Sequence, residues 1–421
     1  MFKQYIKITL QSIRENPLIS LISIAGTALA LAMMMLEVLM FQVGNTNYAP
    51  ETKRDRMLYV LGTEAVSLSS NFTNRGGMSS EVLRECFYSL ETPEAVTAST
   101  NTTYKPVSLP GKRLFNAYAI RYTDANFWLV FDFRFLQGQP FTQEDFASGL
   151  CAAVISDNLA KELFGSLDVI GKRCVLDYVE YTIRGVVKNV PKAASDAYAE
   201  MWVPYSSKLS YMGVSDGFEN ISGSFRAFML AKKRSDFKDI TAELDRRVAA
   251  YNAGKKEHTV SFMDNPLQKR DIAMGSHGFN KVSAKTFLLS TGAFLLFLLL
   301  IPTFNLSGMV QSSIKKRQEE IGIRKAFGAS SRKILSQVVW ENFILTLIGA
   351  VLGLGLSIVF LILGNSFLLD RQTQITIGML FTPGLFVSAL VFTFLLNVLC
   401  CGLPALRISK RKIVESLKNE Q

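Results

Sequence analysis

Four long apolar runs, separated by segments rich in charge, constrain this chain more than any other feature of its sequence. The first begins after Pro17, and the other three fall in the last third of the chain, at 286–311, 342–369 and about 381–403. About 20 apolar residues in a row are enough to cross the hydrocarbon core of a bilayer as a helix. With 49% apolar and 19% charged residues, the sequence is typical of a membrane protein that also has a sizeable aqueous domain.

Basic residues cluster at the N-terminus, between the second and third runs and in the C-terminal tail, whereas the loop after the third run has only Asp370 and Arg371. Loops rich in Lys and Arg stay on the cytoplasmic side, so we predict a multi-pass membrane protein with both termini inside. The predicted order is a cytoplasmic amphipathic helix (1–16), transmembrane helix 1 (17–43), an extracytoplasmic domain (44–283), transmembrane helix 2 (284–311), a cytoplasmic segment (312–333), transmembrane helix 3 (334–366), an outer loop (367–379), transmembrane helix 4 (380–404) and a cytoplasmic tail (405–421).

The segment 44–283 contains no run that could span a membrane and is predicted to be a large α+β domain outside the membrane. Strand–helix–strand patterns occur at both of its ends, at 56–62, 78–90 and 94–101, and again at 224–231, 236–251 and 257–264. These two halves, 44–105 and 222–283, flank a middle segment at 106–221. We therefore expect one α/β part that is interrupted by an insert.

Several function classes lack a sequence signal. The net charge of +11 lies largely beside the apolar runs, where it is explained by membrane topology, and no nucleic-acid module is present. The two histidines form no zinc-ligand pattern, so neither a metal nor another cofactor is expected. Gly171-Lys172 superficially suggests a phosphate loop, but Arg173 replaces the required Ser or Thr, and we expect a helix-to-strand turn there. Whether Cys151 and Cys174 form a disulfide stays open.

The cytoplasmic segment carries seven basic residues between Gln311 and Lys333 against two acidic ones. Glu320 and Arg324 lie one helical turn apart in the favourable order, and Ile323 and Phe327 form a small apolar knob beside the charges. Gly328 suits a helix C-cap. From composition alone, this segment could serve only to fix the orientation of its neighbouring helices.

The third apolar run contains glycines at positions 349, 353 and 355. Gly349 and Gly353 form a GxxxG pattern, which allows two helix backbones to approach closely. We predict that Gly349, Gly353 and Gly355 form a helix-packing face and that Gly353 supports the association of subunits.

The run EEIGIRKAFGAS, preceded by NLSGMV at 305–310, closely resembles the MacB/FtsX-like permeases of ABC transporters. The segments 122–141 and 163–191 and the tail PALRISKRKIVESLK also resemble this family. The resemblance implies a MacB-type extracytoplasmic core, in which a porter-like α/β part carries a mostly β insert, and an FtsX-like four-helix domain in the bacterial cell (inner) membrane. It also implies that the cytoplasmic segment is a coupling helix that docks on an ATPase through Glu319, Glu320, Ile321, Ile323, Arg324, Lys325, Phe327 and Gly328.

The family resemblance also implies partners. No GxxxxGK[ST] motif occurs in the sequence, so the chain is not expected to be an enzyme, and ATP hydrolysis is expected in a separate ABC ATPase subunit. A second copy or a related permease would complete a dimer, and a membrane-fusion or outer-membrane protein is a possible further partner. The implied function is export of a peptide, drug or lipoprotein by mechanotransmission. The alternatives are a permease that activates an extracytoplasmic enzyme without transport, and a membrane-anchored receptor or enzyme that needs no ATPase.

Overall fold

The structure is a computed structural model that describes residues 9, 11, 13–14, 17–70, 72–112, 116–212, 218–316, 323, 331–368, 384, 387, 390–395 and 398. The chain divides into two compact units. The mixed unit contains both strands and helices and comprises mainly Phe41–Phe287. The helical unit contains the apolar helices and comprises the described residues of Met1–Met40, Leu288–Asn365 and Ile375–Gln421.

The mixed unit has fifteen strands among its described residues. In chain order they are β1 (Met57–Val60), β2 (Thr63–Ser67), β3 (Thr73–Met78), β4 (Ala95–Thr100), β5 (Thr103–Ser108), β6 (Ala117–Thr123), β7 (Phe135–Gly138), β8 (Ala152–Ser156), β9 (Arg173–Leu176), β10 (Val179–Val187), β11 (Met201–Pro204), β12 (Ser222–Gly223), β13 (Phe225–Leu230), β14 (His258–Ser261) and β15 (Leu267–Gln268).

The helices are numbered along the whole chain. They are α1 (Pro17–Asn45), α2 (Ser80–Val82, followed by a π-helical turn over Leu83–Phe87), α3 (Phe127–Val130), α4 (Gln143–Ala147), α5 (Asp157–Phe164), α6 (Leu209–Met212), α7 (Phe237–Ala253), α8 (Lys269–Ala273), α9 (Ala284–Lys316) and α10 (Ser331–Leu368). Of these, α1, α9 and α10 are the long apolar helices.

Eleven of these strands follow one continuous order, β11-β8-β10-β9-β5-β6-β4-β13-β3-β2-β14, and β1, β7, β12 and β15 pair outside this order. Strand β11 also pairs in parallel with β6, so the six strands β5, β6, β8, β9, β10 and β11 close into a ring. All six fall almost entirely within the segment that we expected to be an insert. Beyond the ring, β4 pairs with β13, and β13 pairs with β1, which places the two ends of the domain side by side.

A buried cluster joins these two parts of the mixed unit. It includes Ile183 and Met201 from the ring together with Ile240 and Leu244 from α7. On α7 these two side chains are four residues apart, so they lie on the same face of the helix and are buried together. The inserted strands and the flanking halves therefore share apolar packing in addition to the continuous sheet order.

Most of the predicted strands and helices at the two ends of the domain are present. The pattern at 236–251 corresponds to α7, and those at 56–62 and 224–231 correspond to β1 and β13. The predicted helix at 78–90 is shorter, because Met78 belongs to β3 and the helix begins where the Ser79 hydroxyl caps the amide of Val82. The hairpin of β2 and β3 was not predicted.

The expected turn at Gly171-Lys172 is confirmed. Helix α5 ends at Gly165, whose φ of +70° is the left-handed conformation that glycine adopts without strain. Strand β9 begins at Arg173. The cysteines Cys86, Cys151 and Cys174 are free, so Cys151 and Cys174 do not form a disulfide.

Among the residues that the structure describes, two helical segments are long and apolar enough to cross a membrane, Ser20–Asn45 and Val339–Phe360. A shorter apolar helical segment is Ala284–Leu300, within α9. Of the predicted amphipathic helix 1–16, only Thr9, Gln11, Ile13 and Arg14 are described, and all are helical. Most of transmembrane helix 4 (380–404) and all of the tail (405–421) lie outside the described residues.

Candidate functional site

The residues expected to contact an ATPase lie, with one exception, outside the described residues: Glu319, Glu320, Ile321, Arg324, Lys325, Phe327 and Gly328. The exception is Ile323, which is helical and whose side chain is 55% exposed. Their role as a coupling helix therefore remains a prediction.

Two of the three glycines lie against the first apolar helix of the same chain. A Cβ atom added at Gly353 would be 2.7 Å from the carbonyl oxygen of Ala28, and one at Gly349 would be 2.9 Å from the side chain of Thr27. A Cβ at Gly355 would meet nothing within 4 Å. The described contact of this glycine face is thus between α10 and α1 within one chain, and it involves Gly349 and Gly353 only.

Apolar packing continues this contact between the helices. A small buried cluster joins Ala30, Leu31 and Met34 of α1 to Ala350 of α10 and Leu299 of α9. The hydroxyl of Ser357 lies 3.9 Å from the sulfur of Met35. The small residues let the backbones approach closely enough for these side chains to interlock, which is how helices associate where water supplies no driving force.

A second set of residues, which sequence analysis missed, follows directly after α1. Arg54 is buried and its guanidinium makes five hydrogen bonds. Its Nε donates to Glu51 over 2.6 Å, and its Nη1 donates to the carbonyl oxygens of Val43 and Thr46, both over 2.9 Å. The last carbonyls of any helix lack a partner within the helix, so the Arg54 side chain supplies partners at the end of α1.

Glu51 extends this arrangement to two distant parts of the mixed unit. Its Oε1 accepts hydrogen bonds from the backbone amides of Asp196 and Ala197, and its Oε2 lies 3.3 Å from Nζ of Lys269. Lys269 also forms an ion pair with Asp196. We call these four buried residues, Glu51, Arg54, Asp196 and Lys269, the junction network.

The charges of the junction network stabilise one another. Burial alone would lower the pKa of Lys269, but Asp196 and Glu51 raise it above its usual value. Burial would raise the pKa of Asp196, yet Lys269 holds it below its usual value. The junction network thus places the basic side chains of Arg54 and Lys269 against the carboxyl groups of Glu51 and Asp196. Breaking one buried pair of this kind costs about 3–5 kcal/mol because an uncompensated charge remains.

The sequence offers only a weak signal for the junction network. Glu51 and Arg54 are three residues apart directly after an apolar run, a spacing that suits a local ion pair. Asp196 and Lys269 lie 145 and 218 residues from Glu51, so nothing local marks them as its partners. Within the described residues, no group of three or more His, Cys, Asp or Glu side chains is arranged to hold a metal ion.

Comparison with known proteins agrees with this architecture. The profile of the MacB-like periplasmic core domain matches residues 20–247, which is more than half of the chain, and that of the FtsX-like permease C-terminal domain matches residues 292–413. The chain therefore belongs to the MacB/FtsX-like permeases of ABC transporters. It is a membrane protein with a large extracytoplasmic domain.

Individual relatives are distant. The uncharacterized ABC transporter permease YknZ of Bacillus subtilis (strain 168) is 29% identical over 290 residues, which is 67% of this chain and 65% of that protein. The macrolide export ATP-binding/permease protein MacB of Pasteurella multocida (strain Pm70) is 25% identical over 308 residues, which is 73% of this chain but 44% of that protein.

Among solved structures, the extracellular domain of the noncanonic ABC-type transporter YknZ from Gram-positive bacteria aligns with 48% of this chain and 99% of its own length. The identity of that alignment is 18% and its TM-score is 0.34.

Proposed function

We propose that this chain is the permease subunit of an ABC transporter in which a separate ATPase subunit drives motion of the extracytoplasmic domain. Two copies of the chain, or this chain and a related permease, form the membrane part. The motion extrudes a substrate, which is a peptide, a drug or a lipoprotein, by mechanotransmission from the cytoplasmic side. The coupling helix at 312–333 contacts the ATPase in this scheme, and the exposure of the apolar Ile323 side chain is in keeping with such a contact.

The observation that carries the proposal is the junction network. It ties the end of α1, through Val43 in its last turn and Thr46 directly after it, to Asp196 and to Lys269. Lys269 begins α8, which is followed in the chain by α9. A displacement at the end of α1 would therefore pull on three segments of the mixed unit at once. Buried ion pairs resist such a displacement because separating them exposes uncompensated charge.

The test measures ATP-dependent motion in the purified complex of the permease and its ATPase. A spin label is placed at Leu209, which is 87% exposed, in a chain whose native cysteines have been replaced, and distances between labels on two copies are recorded with and without ATP. The variant combines Glu51→Gln with Lys269→Met, which removes one charge of each sign and keeps the side-chain sizes. We expect the ATP-dependent change in distance to be lost while the ATPase still co-purifies.

A matched control combines Arg173→Gln with Glu180→Gln, an ion pair with exposed side chains in the same unit, and should keep the change in distance. An unaltered distance change in the Glu51/Lys269 variant would show that motion does not pass through the junction network. If no ATPase co-purifies with the native chain, the permease function itself is wrong. The signalling alternative would be favoured if ATP hydrolysis changed the activity of an enzyme of the cell envelope and no substrate were extruded.

A further inference from the structure

A cavity of about 380 Å³ opens in the mixed unit where neighbouring strands separate. Strand β13 pairs with β1 as far as Ala227 and Val60, but with β3 it pairs only at Phe225 and Met78. The gap in the sheet beside Arg226 leaves the cavity. Its walls include the polar residues Thr100, Asn101 and Ser224 and the aromatic rings of Tyr211 and Phe279. A volume of this size lies in the range of small-molecule sites, roughly 300–1,000 Å³.

Arg226 is the charged residue of this cavity, and it is half-buried. Its guanidinium forms no hydrogen bond and no ion pair with the residues that the structure describes. Arginine carries five N–H donors, and none of those of Arg226 is fully buried, so they remain available to an acceptor that enters the cavity. Burial lowers the pKa of Arg226, and only Asp196, at longer range, opposes this effect.

Two arginines of the mixed unit that are fully buried, Arg54 and Arg121, show how a structural arginine is bonded in this fold. Arg54 makes five hydrogen bonds, and Arg121 also makes five, to acceptors that include the Ser99 hydroxyl and the carbonyl oxygens of Thr100 and Ser195. Arg226 lies on β13 opposite Ser99, so its charge adds to that of Arg121 on this side of the sheet. Burial, with a contribution from Arg226, lowers the pKa of Arg121 to about 10.

We propose that this cavity binds a small molecule that carries an oxyanion, a carboxylate or a phosphate, on an apolar or aromatic body. The planar fork of Arg226 matches the two oxygens of a carboxylate or phosphate. The hydroxyl of Ser224 and the amide of Asn101 offer further polar contacts at the rim, while Tyr211 and Phe279 supply the apolar wall. The site lies wholly within the extracytoplasmic domain and does not require the ATPase.

The experiment measures binding to the full-length chain in detergent by isothermal titration calorimetry at low ionic strength. Three probes share one ring: benzoate, phenyl phosphate and the neutral benzamide. We expect saturable binding of benzoate or of phenyl phosphate, and the preferred anion assigns the carboxylate or the phosphate as the recognised group. The native chain should bind benzamide at least about tenfold more weakly than the preferred anion. The variant Arg226→Gln should bind that anion at least about tenfold more weakly than the native chain does. Both losses are the effect of losing a charge-assisted hydrogen bond.

Two further variants separate the site from a general effect of charge or of folding. Arg84→Gln removes an exposed positive charge from the same unit and should leave binding unchanged. Gly76→Leu adds a side chain at a position on the cavity wall where a Cβ meets nothing within 4 Å, so it should weaken binding without lowering the unfolding temperature. Equal binding by native protein and Arg226→Gln would overturn the proposal. So would the failure of both anions to bind at about 10 mM, where even a weak ligand is detected.

Discussion

Nη1 of Arg54 lies 2.9 Å from the carbonyl oxygen of Val43, so a buried side chain of the mixed unit satisfies the end of the first apolar helix. The same guanidinium holds Glu51, whose second oxygen binds the backbone at Asp196 and Ala197. One arginine and one carboxylate thus hold in place the segment in which the chain leaves its first apolar helix. Loss of either would leave its partner charged and buried.

Arg54→Met is predicted to destabilise the mixed unit by about 3–5 kcal/mol, because the charge of Glu51 loses its closest partner and helix carbonyls lose theirs. The measurement is denaturant unfolding of the full-length chain in detergent, followed by tryptophan fluorescence, since Trp128 and Trp202 report on this unit. Arg173→Gln breaks an exposed ion pair in the same unit and should cost less than about 1 kcal/mol. Similar losses in the two variants would mean that the junction network contributes no more than a surface pair.

Gly353→Leu is predicted to loosen the packing of α10 against α1 and to lower the stability of the helical unit by about 1–3 kcal/mol, as overpacking does. The reason is the distance of 2.7 Å between an added Cβ and the Ala28 carbonyl oxygen. Gly355→Leu is the matched control, because an added Cβ at that position meets nothing within 4 Å. The test is the thermal inactivation of the purified chain in detergent.

An equal effect of the two leucine substitutions would argue against close packing at Gly353. The same samples, run through size-exclusion chromatography, address our sequence-based expectation that Gly353 supports subunit association. If Gly353→Leu dissociates subunits without lowering stability, the glycine packs between chains; if stability falls and assembly is unchanged, its role is within the chain.

The parts of this fold that could be read from the sequence are those set by local patterns. The apolar runs that correspond to α1, α9 and α10 are evident because a bilayer-spanning helix must be apolar on all sides. Helix α7 is evident because Ile240 and Leu244 repeat at helical spacing. The hairpin of β2 and β3 was missed because Thr73–Met78, with the sequence TNRGGM, has Met78 as its one buried residue and shows no apolar alternation.

The remaining features depend on contacts between residues that are far apart in the sequence. The ring closes because β11 pairs with β6, and β13 joins the two ends of the domain, but no local signal sets either pairing. Lys269 and Glu51 are 218 residues apart and each would be read as a surface charge. The spacing of Gly349 and Gly353 predicts a close contact between two helices, but nothing in the sequence identifies α1 as the partner helix.

Asp124 is predicted to make the stability of the mixed unit depend on pH. Its buried carboxylate accepts hydrogen bonds from Tyr88 and from the amides of Ala98 and Phe127, but burial outweighs them and raises its pKa from 3.8 to about 6. Because the folded pKa is the higher one, the stabilising contribution is complete below about pH 4 and is lost as the pH rises through about 6. Two pKa units correspond to about 3 kcal/mol.

The measurement compares the free energy of unfolding of the native chain and of Asp124→Asn at pH 4, 5.5 and 7 (values chosen to bracket about 4 to 6). The native chain should lose up to about 3 kcal/mol relative to the variant across this range. Taking the difference cancels the effect of carboxylates whose pKa values are lowered, such as Asp145 and Asp177, which act in the opposite direction. Asp168→Asn removes an exposed carboxylate and serves as the control. Parallel pH profiles for the native chain and Asp124→Asn would contradict the prediction.

The coupling helix yields the last prediction, since its two interpretations differ in what they require of Ile323 and Phe327. If the segment only fixes topology, its basic charges matter and these two apolar side chains do not. If it docks on an ATPase, they form the apolar centre of a small contact, and a carboxylate buried there without a partner costs several kcal/mol. Ile323→Asp with Phe327→Asp is therefore predicted to abolish co-purification of the ATPase.

The control variant, Ile323→Val with Phe327→Leu, keeps the centre apolar and should retain the ATPase, because a few buried anchors provide most of the affinity of such a contact. Cysteine-accessibility mapping of the segment shows whether the topology is intact in both variants. Retention of the ATPase by the double aspartate variant, with its topology unchanged, would mean that the segment at 312–333 is a topogenic loop.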